Sequence, residues 1–251
     1  MTITLGTQQY DLTKGTDCSI GIVPDSTQNA NAYYAPMPYT QAFEMKGFVG
    51  LIRKGSPVNY RHLFISPHGN GTHTECASHI YDTELSVHQC INTNFSIAYL
   101  CTCYPTKQSN GDEIVLFSTL EEEIKNAKHL NATSFIIRTL PNHADKKSRN
   151  YSGNNPPYVE QKIAAMLNQF NFMHLLVDLP SLDKEQDEGE LASHKAFWGV
   201  PLQDTRKMAT ITELIYVPNE LKDGLYALSI AVPAILHDAL PSRIMLYPIF
   251  L

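Results

Sequence analysis

One stretch of fourteen residues, from Ser66 to His79, limits what this chain can fold into more than any other, and it reads SPHGNGTHTECASH. It contains three of the ten histidines of the chain, together with one carboxylate and one thiol. A proline and two glycines allow the backbone to bend sharply between these side chains. So many ionisable groups cannot be buried without partners, and their density indicates a metal site rather than an apolar core.

The spacing within this stretch allows several side chains to reach one ion. If the backbone around His73 and Glu75 is extended, both side chains lie on one face from positions about 6.6 Å apart. They can then bind one ion at about 2.0–2.2 Å each. A turn at residues 69–71 can bring His68 to the same ion, because glycine tolerates positive φ. His79 is then available as a general acid or base.

The same residues resemble a known signature. Residues 71–79 read Gly-Thr-His-x-Glu-x-x-x-His, which is similar to the His-x-Gly-Thr-His-x-Asp-x-Pro-x-His signature of the cyclase family. These metal-dependent hydrolases include bacterial kynurenine formamidase and isatin hydrolase. The resemblance implies that His68, His73 and Glu75 bind the metal and that His79 serves catalysis.

The chain departs from that signature at three positions. His68 lies five residues before His73 rather than four, so the turn is one residue longer. Glu75 replaces aspartate, which lengthens the acidic side chain by one methylene, and Ala77 replaces proline. We expect the longer turn and the longer acid to compensate each other, and the alternative is an altered or lost metal site.

The resemblance extends to a second metal site further along the chain. The segment Ile211–Leu214 is similar to the one that carries the glutamate of that site in the family, which implies that Glu213 is a ligand. We also assign Glu213 to catalysis, beside His79. The histidine of the second site would be His194, which is the only histidine between Asp178 and Glu213. Glu75 would then bridge two ions, whereas the alternative is that His194 and Glu213 are ordinary polar residues.

Two further groups of residues have weaker signals. Val177–Asp183 resembles a strand end of the family, but we interpret Asp178 and Asp183 as acids that cap the backbone around a proline and a serine. The irregular segment Asn29–Tyr39 is rich in aromatic residues and proline. It predicts a substrate wall, or else rings that fold onto the core or a neighbouring subunit. The candidate substrate-binding residues are Tyr33, Tyr34 and Trp198.

Composition narrows the classes of partner. The net charge is −6, and no run of five like charges occurs, so neither nucleic acid nor a membrane surface is an expected partner. A small-molecule substrate is expected instead. The chain lacks a signal-peptide pattern and any apolar run of about 18 residues. Five cysteines at irregular spacing indicate no disulfide framework. We therefore expect a cytoplasmic protein.

The hydrophobic pattern predicts a mixed, strand-rich α/β fold. We expect buried strands at residues 97–104, 134–139 and 174–177, and helices from Thr119 to about His129 and from Tyr158 to Phe170. Strand, helix and strand in succession imply a parallel pair with a right-handed crossover and a ligand crevice beyond the carboxyl ends. The resemblance implies one domain over residues 1–251, similar to the swivelling β/β/α fold of the cyclases.

These inferences predict a metal-dependent hydrolase that uses a metal-activated water to cleave an amide-like bond in an aryl formamide or a cyclic amide. The mixed nitrogen and oxygen ligands suit zinc, with manganese as the rival, and one or two ions. The resemblance suggests a homo-oligomer, either a dimer or a tetramer. The alternatives are a structural zinc site, a non-catalytic small-molecule binding protein derived from the same family, and a metal-dependent lactonase or dehydratase.

Overall fold

The computed structural model describes residues 1–250. Its strands, numbered in chain order, are Thr2–Leu5 (β1), Gln8–Asp11 (β2), Thr16–Asp17 (β3), Tyr39–Ala42 (β4), Glu44–Met45 (β5), Phe48–Val49 (β6), Arg61–Phe64 (β7), His73–Cys76 (β8), Ser96–Cys103 (β9), Thr106–Lys107 (β10), Glu113–Val115 (β11), Ser134–Thr139 (β12), Tyr158–Val159 (β13), His174–Val177 (β14), Thr210–Glu213 (β15), Gly224–Ala231 (β16), Ala239–Pro241 (β17) and Arg243–Pro248 (β18).

The helices are fewer and shorter. The α-helices are Val87–Cys90 (α1), Phe117–His129 (α2), Gln161–Gln169 (α3) and Ala192–Trp198 (α4). Short 3-10 helices cover Ile52–Lys54, Pro67–Gly69, Ala77–His79, Ala144–Lys147 and Asp204–Arg206. No helix within residues 1–250 is both long and apolar enough to cross a membrane.

A nine-stranded mixed sheet forms the centre of the fold, in the order β17-β8-β15-β14-β12-β9-β16-β18-β3. The four strands β15, β14, β12 and β9 are parallel, and the strands on both sides are antiparallel to their neighbours. The predicted parallel pairing of the strands at 134–139 and 174–177 is confirmed. The mixed, strand-rich α/β fold is therefore confirmed.

The core forms because apolar residues of the central strands are covered by helices on one side. Strand β12 is buried throughout its length. The buried faces of α2 and α3 pack in the same core cluster as this strand. These faces consist of Leu120, Ile124 and Ala127 in α2 and of Ile163, Ala164 and Leu167 in α3. The packing fixes the central strands, and thereby the ends of β14 and β15, where the site lies.

Two predicted helix starts were wrong. Helix α2 begins at Phe117 rather than after Thr119, and the carboxylate of Glu160 accepts a hydrogen bond of 2.7 Å from the Phe117 amide. A distant side chain therefore satisfies the helix start where a local N-cap was expected. The other helix begins at Gln161 rather than Tyr158, because residues 158–159 pair with β11 as a strand.

Candidate metal centre

Strand β8 places two of the predicted ligands. His73 and Glu75 are alternate residues of this strand, and both are fully buried. Strand β15 runs antiparallel beside β8, with Glu213 directly opposite His73. Side chains of directly opposed residues share one face of a sheet, and this explains why an acid 140 positions away in the chain reaches this histidine.

The turn before β8 presents a third predicted ligand. Gly71 adopts a φ of +79°, and a Cβ built there would lie 2.9 Å from the carbonyl oxygen of Ile20. The side-chain oxygen of Asn70 accepts a hydrogen bond of 2.8 Å from the Ser66 amide and closes the loop. The turn folds back as expected, and it brings His68 beside Glu75, with 3.3 Å between Nδ1 and Oε2.

The remaining two histidines approach Glu75 from other elements. His79 ends the 3-10 helix that follows β8, and its Nε2 lies 3.6 Å from Glu75 Oε2. His194 lies in α4, and its Nε2 lies 2.9 Å from Glu75 Oε1 and 3.6 Å from Glu213 Oε1. Four imidazoles from four separate segments thus surround two buried carboxylates.

The side chains form two groups of three that can each hold a metal ion. One group is His68, Glu75 and His79, and the other is His73, Glu75 and Glu213. Within each group the ligand atoms lie within 4.8 Å of one another. Glu75 belongs to both groups, so it is in a position to bridge two ions. His68 and His73 fall into different groups, and their assignment to one shared ion remains a prediction.

The geometry fits a metal better than it fits hydrogen bonds. His73 Nε2 and Glu75 Oε2 are buried and have no hydrogen-bond partner within residues 1–250. Such orphaned buried atoms require an explanation, and coordination of a cation supplies one. Two ligands held at about 2.1 Å by a tetrahedral ion lie about 3.4 Å apart. His73 Nε2 lies 3.4 Å from Glu213 Oε2, which matches this separation.

Three of the four imidazoles are oriented by a hydrogen-bond partner on the outer nitrogen. His73 Nδ1 lies 3.1 Å from the Gly71 carbonyl oxygen. His194 Nδ1 lies 2.6 Å from Asp183 Oδ2, and His68 Nε2 lies 3.0 Å from Asp238 Oδ2. An acceptor on the outer nitrogen keeps the proton there and leaves the inner nitrogen free for a metal. This arrangement recurs around metal-binding histidines.

The electrostatics favour a positive charge at the centre. Burial raises the pKa of Glu75, but His194 and His79 lower it more, so the net pKa lies well below its usual range. Burial likewise lowers the pKa of His194, while Glu75 and Asp183 raise it well above normal. The lowered pKa of Glu75 and the raised pKa of His194 have one cause, which is that each buried charge is stabilised by an opposite charge beside it. A divalent ion supplies the same compensation.

A cavity of about 260 Å³ opens beside the ligand groups. Its walls include the side chains of the candidate centre and of the loop after β14. The lining residues are Tyr33, His68, Glu75, His79, Ser181, Asp183, Lys184, Glu185, Asp187, Leu191, His194 and Glu213. The cavity lies where β14 and β15 end, as predicted for a crevice beyond the carboxyl ends of parallel strands.

The three predicted substrate-binding residues have different surroundings. Tyr33 lines the cavity, where burial of its hydroxyl and the nearby Glu213 raise its pKa. Tyr34 is 72% exposed and does not line this cavity. Trp198 is fully buried, and its Nε1 donates a hydrogen bond of 2.9 Å to the Ala209 carbonyl. Trp198 packs behind His194 instead, with ring centroids 5.8 Å apart, so a substrate cannot reach it in this structure.

Sequence reasoning missed two acids of the site. Asp183, interpreted as a backbone cap, accepts hydrogen bonds from the Ser193 and His194 amides but also contacts the His194 ring. Asp238 received no assignment at all. The only signal in the sequence is that Asp238 directly precedes the apolar residues of β17. This signal places Asp238 at the site only once the pairing of β17 with β8 is known. Cys76, the thiol of the stretch from Ser66 to His79, packs with Val87, Cys90 and Leu240.

The family is established by comparison with known proteins. Residues 7–184 match the model of the family described as "Putative cyclase", and the chain belongs to this family. His73, Glu75 and His79 lie inside the matched region, whereas His194 and Glu213 lie beyond its end. A comparison with curated proteins gives no match.

Solved structures share the fold. A potential metal-dependent hydrolase with cyclase activity has a TM-score of 0.62 at 14% identity, over 94% of this chain and 98% of that one. An isatin hydrolase bound to the product analogue thioisatinate has a TM-score of 0.63 at 13% identity, over 94% of this chain and 92% of that one. Isatin hydrolase A from Labrenzia aggregata, bound to benzyl benzoate, has a TM-score of 0.63 at 11% identity, over 94% of this chain and 93% of that one. At these identities the likeness concerns the fold.

Proposed function

We propose that this chain is a metal-dependent hydrolase that cleaves an amide-like bond in an N-formyl aromatic amine or a cyclic amide. One observation carries the proposal. Four imidazoles converge on Glu75 and Glu213 at the wall of a cavity, and two of the inward-facing ligand atoms are buried without partners in the described part of the chain. Membership of the cyclase family and the names of the similar structures, an isatin hydrolase among them, support it.

The donor set selects a class of metal. Histidine nitrogen and carboxylate oxygen suit zinc, with manganese as the rival, and the carboxylate shared by the two groups suits one or two ions. A divalent ion supplies a Lewis acid that polarises a carbonyl oxygen and makes a neighbouring water more acidic. In this proposal His68, His73, Glu75 and Glu213 would hold it together with His194. His194 lies outside the two groups but contacts both Glu75 and Glu213. His79 is kept for proton transfer.

The proton is moved by His79. This side chain is 29% exposed and lines the cavity, so a substrate can touch it, whereas His73 is fully buried. Its Nε2 faces Glu75, and in this position it can take a proton from water and deliver it to the leaving nitrogen. The carboxylate of Glu213 is held in a fixed orientation, because its Oε1 accepts a hydrogen bond of 2.9 Å from the Leu182 amide. In this orientation Glu213 supports the reaction.

The cavity limits the substrate. Ligand pockets for larger molecules reach about 300–1,000 Å³, so a volume of about 260 Å³ suits a compound with a single small ring system. Tyr33 and Leu191 provide apolar wall, and the Tyr33 hydroxyl can donate a hydrogen bond to a substrate oxygen.

We propose no nucleic acid or membrane partner. Five free, buried cysteines fit the reducing cytoplasm.

Two alanine variants test the roles of the histidines. His73→Ala removes the only imidazole of the group formed by His73, Glu75 and Glu213, so we expect loss of both bound metal and hydrolysis. His79→Ala leaves the His73 group complete, so we expect metal to remain while turnover is lost. Elemental analysis and acid release from formamides, lactones and cyclic imides measure both quantities. His129→Ala, at the end of α2, is the control and should change neither.

The same experiment decides between the alternatives. Release of acid from lactones but not from amides would assign the site to a lactonase. A protein that binds the aromatic compounds without consuming any of them would be a binding protein. If the wild-type protein from metal-supplemented cells contains almost no metal, the hydrolase proposal fails.

A further inference from the structure

We infer that Asp238 is a positioning residue that holds the rings of His68 and His79 in the orientation that the reaction needs. This inference rests on the proposed function. Asp238 lies outside residues 7–184, the part of the chain that matches the family model. Its role follows from its contacts and from the way in which the sheet fixes its backbone.

One oxygen of Asp238 faces both rings. Its Oδ2 lies 3.0 Å from His68 Nε2 and 3.7 Å from His79 Nδ1. On the opposite edge of the same two rings, Glu75 Oε2 lies 3.3 Å from His68 Nδ1 and 3.6 Å from His79 Nε2. The rings themselves lie side by side, with centroids 4.2 Å apart and planes at 31°. The two imidazoles thus span the space between two carboxylates.

This arrangement determines which nitrogen of each ring is available to the centre. A carboxylate accepts hydrogen bonds only, so the contact of 3.0 Å favours a proton on His68 Nε2. The distance of 3.7 Å to His79 Nδ1 is too long for a hydrogen bond, and Asp238 acts on this ring through its charge. The nitrogens that remain, His68 Nδ1 and His79 Nε2, point at Glu75. His68 differs from the other three histidines, which direct Nε2 towards the buried carboxylates. Within residues 1–250, Asp238 is the hydrogen-bond partner of His68 Nε2, and it thereby keeps Nδ1 as the inner nitrogen of His68.

The backbone of Asp238 is fixed relative to Glu75. Its carbonyl oxygen accepts a hydrogen bond of 3.0 Å from the Cys76 amide. The next residue, Ala239, is paired with Glu75 in the antiparallel contact of β17 and β8. The carboxylates on the two sides of the imidazole pair are therefore attached to neighbouring strands. A supporting group on rigid strands positions a ligand more precisely than one on a free loop.

The substitution Asp238→Asn tests this role. It keeps the size of the side chain but removes the charge, and its amide can present a donor to His68 instead of an acceptor. Partners of this kind typically contribute 10- to 100-fold to metal affinity. We expect the affinity for Zn²⁺, measured by competition with a chelator, to fall by about 10- to 100-fold. We also expect a changed absorption spectrum of the Co²⁺-substituted protein and a lower kcat.

A second readout separates this inference from the proposed function. In nitrogen-15 NMR spectra of the metal-free protein, the Nε2 proton of His68 should be protected from exchange in the wild type and should exchange rapidly in Asp238→Asn. Asp238→Ser provides a second variant without an equivalent acceptor, in case the asparagine variant folds poorly. Unfolding followed by circular dichroism checks that both variants retain the fold.

Asp82→Asn is the matched control, because it removes an exposed carboxylate only three residues after His79. It should leave the Zn²⁺ affinity and the His68 proton unchanged. If Asp238→Asn binds Zn²⁺ like the wild type and retains the protected His68 proton, Asp238 is not a positioning residue. If the wild type binds no metal but shows the protected proton that Asp238→Asn loses, the proposed function fails while the orienting contact stands.

Discussion

Two adjacent tyrosines have the same backbone conformation but different surroundings. Tyr33 and Tyr34 adopt φ angles of +56° and +53°, in the left-handed region that non-glycine residues seldom occupy. Tyr33 reaches the cavity beside the candidate centre, whereas Tyr34 is 72% exposed and its amide donates to the Ser152 hydroxyl. Such strained residues often occur at functional sites. The pair therefore offers a comparison at almost constant backbone structure.

Removing the hydroxyl of Tyr33 should weaken the reaction without affecting the metal. We expect Tyr33→Phe to lower kcat/KM about tenfold, the change that loss of one hydrogen bond of about 1.4 kcal/mol produces. Metal content should remain that of the wild type. Tyr34→Phe is the matched control and should behave like the wild type. Equal effects of the two substitutions would show that Tyr33 does not contact the substrate.

The motif around His73 predicted the local part of the site, and the resemblance further along the chain pointed to His194 and Glu213, but no motif in the sequence indicated Asp238. His73, Glu75 and His79 belong to one short stretch, and the period of a strand is enough to place the first two on one face. Asp238 reaches His68 across 170 positions of the chain. No local pattern encodes such a contact, because it depends on the pairing of β17 with β8. Trp198 was misassigned for the related reason that burial depends on the whole fold.

At the scale of elements, the long apolar runs were predictable and the short polar boundaries were not. The strands over residues 134–139 and 174–177 have the predicted bounds, because continuous burial leaves little choice of structure. The start of α2 depends on Glu160, a residue from a distant segment. Tyr158 was assigned to a helix because the apolar period of α3 continues through it, but strand pairing with β11 prevailed.

The small sheet β10-β11-β13 is linked to the wall of the cavity by one acid, Asp112. Asp112 lies between β10 and β11 and accepts hydrogen bonds from Lys184 at 2.9 Å, Asn155 at 3.1 Å and Tyr158 at 3.1 Å. Lys184 is a wall residue of the cavity. Asp112 therefore ties two loops and one side of the cavity together.

The stability that Asp112 contributes should depend on pH. Hydrogen bonds from Lys184 and Asn155 lower its pKa from 3.8 to about 2. The unfolded chain therefore takes up a proton on this carboxylate at a higher pH than the folded chain does. The contribution is fully present above about pH 4 and is lost as the pH falls through 2.

Urea unfolding of Asp112→Asn and of the wild type measures this contribution. We expect the variant to be less stable at pH 7, and the difference between the two proteins to shrink progressively below pH 4. Asp82→Asn, which changes an exposed acid, should show a small difference at both pH values. A difference for Asp112→Asn that stays constant from pH 7 to pH 2 would contradict the role of its charge.

At the scale of the whole molecule, residues 39–64 contribute to none of the hydrophobic core clusters of the described chain. Residues 39–64 form an arm from the strand pairs β4–β7 and β5–β6, and all four residues of β7 are exposed. Along one face of the arm, Tyr39 stacks on Phe64 and Phe43 stacks on Tyr60, with ring centroids 4.5 and 4.7 Å apart. A two-stranded ribbon alone is only marginally stable in water, so a partner is expected to cover it.

We propose that this partner is a second copy of the chain. Seven large apolar residues of the arm are 40–57% exposed: Tyr39, Met45, Ile52, Val58, Tyr60, Leu63 and Phe64. Leu63 lies on the face of the ribbon opposite Tyr60 and Phe64, so these residues occupy both faces of the arm. At about 100 Å² each they present about 700 Å², and two arms enclosed on both faces would bury about 1,400 Å², within the range of stable interfaces. The arm has a net charge of +3, and since the whole chain has −6, the remainder has −9. This complementarity favours contact between an arm and the body of its partner.

Sedimentation tests this homo-oligomer. We expect the wild type to be a dimer or larger, and the double variant Tyr60→Ser with Leu63→Ser to be a monomer. Arg53→Glu with Lys54→Glu should also weaken the association, because it reverses two positive charges of the arm, which the proposed contact places against the acidic remainder of the partner. If the arms contacted each other instead, reducing their common positive charge would strengthen the association. Val200→Ser removes an apolar side chain that is 69% exposed outside the arm and should have no effect. A wild type that sediments as a monomer at micromolar concentrations would contradict the prediction, and the apolar face of the arm would then require a different partner.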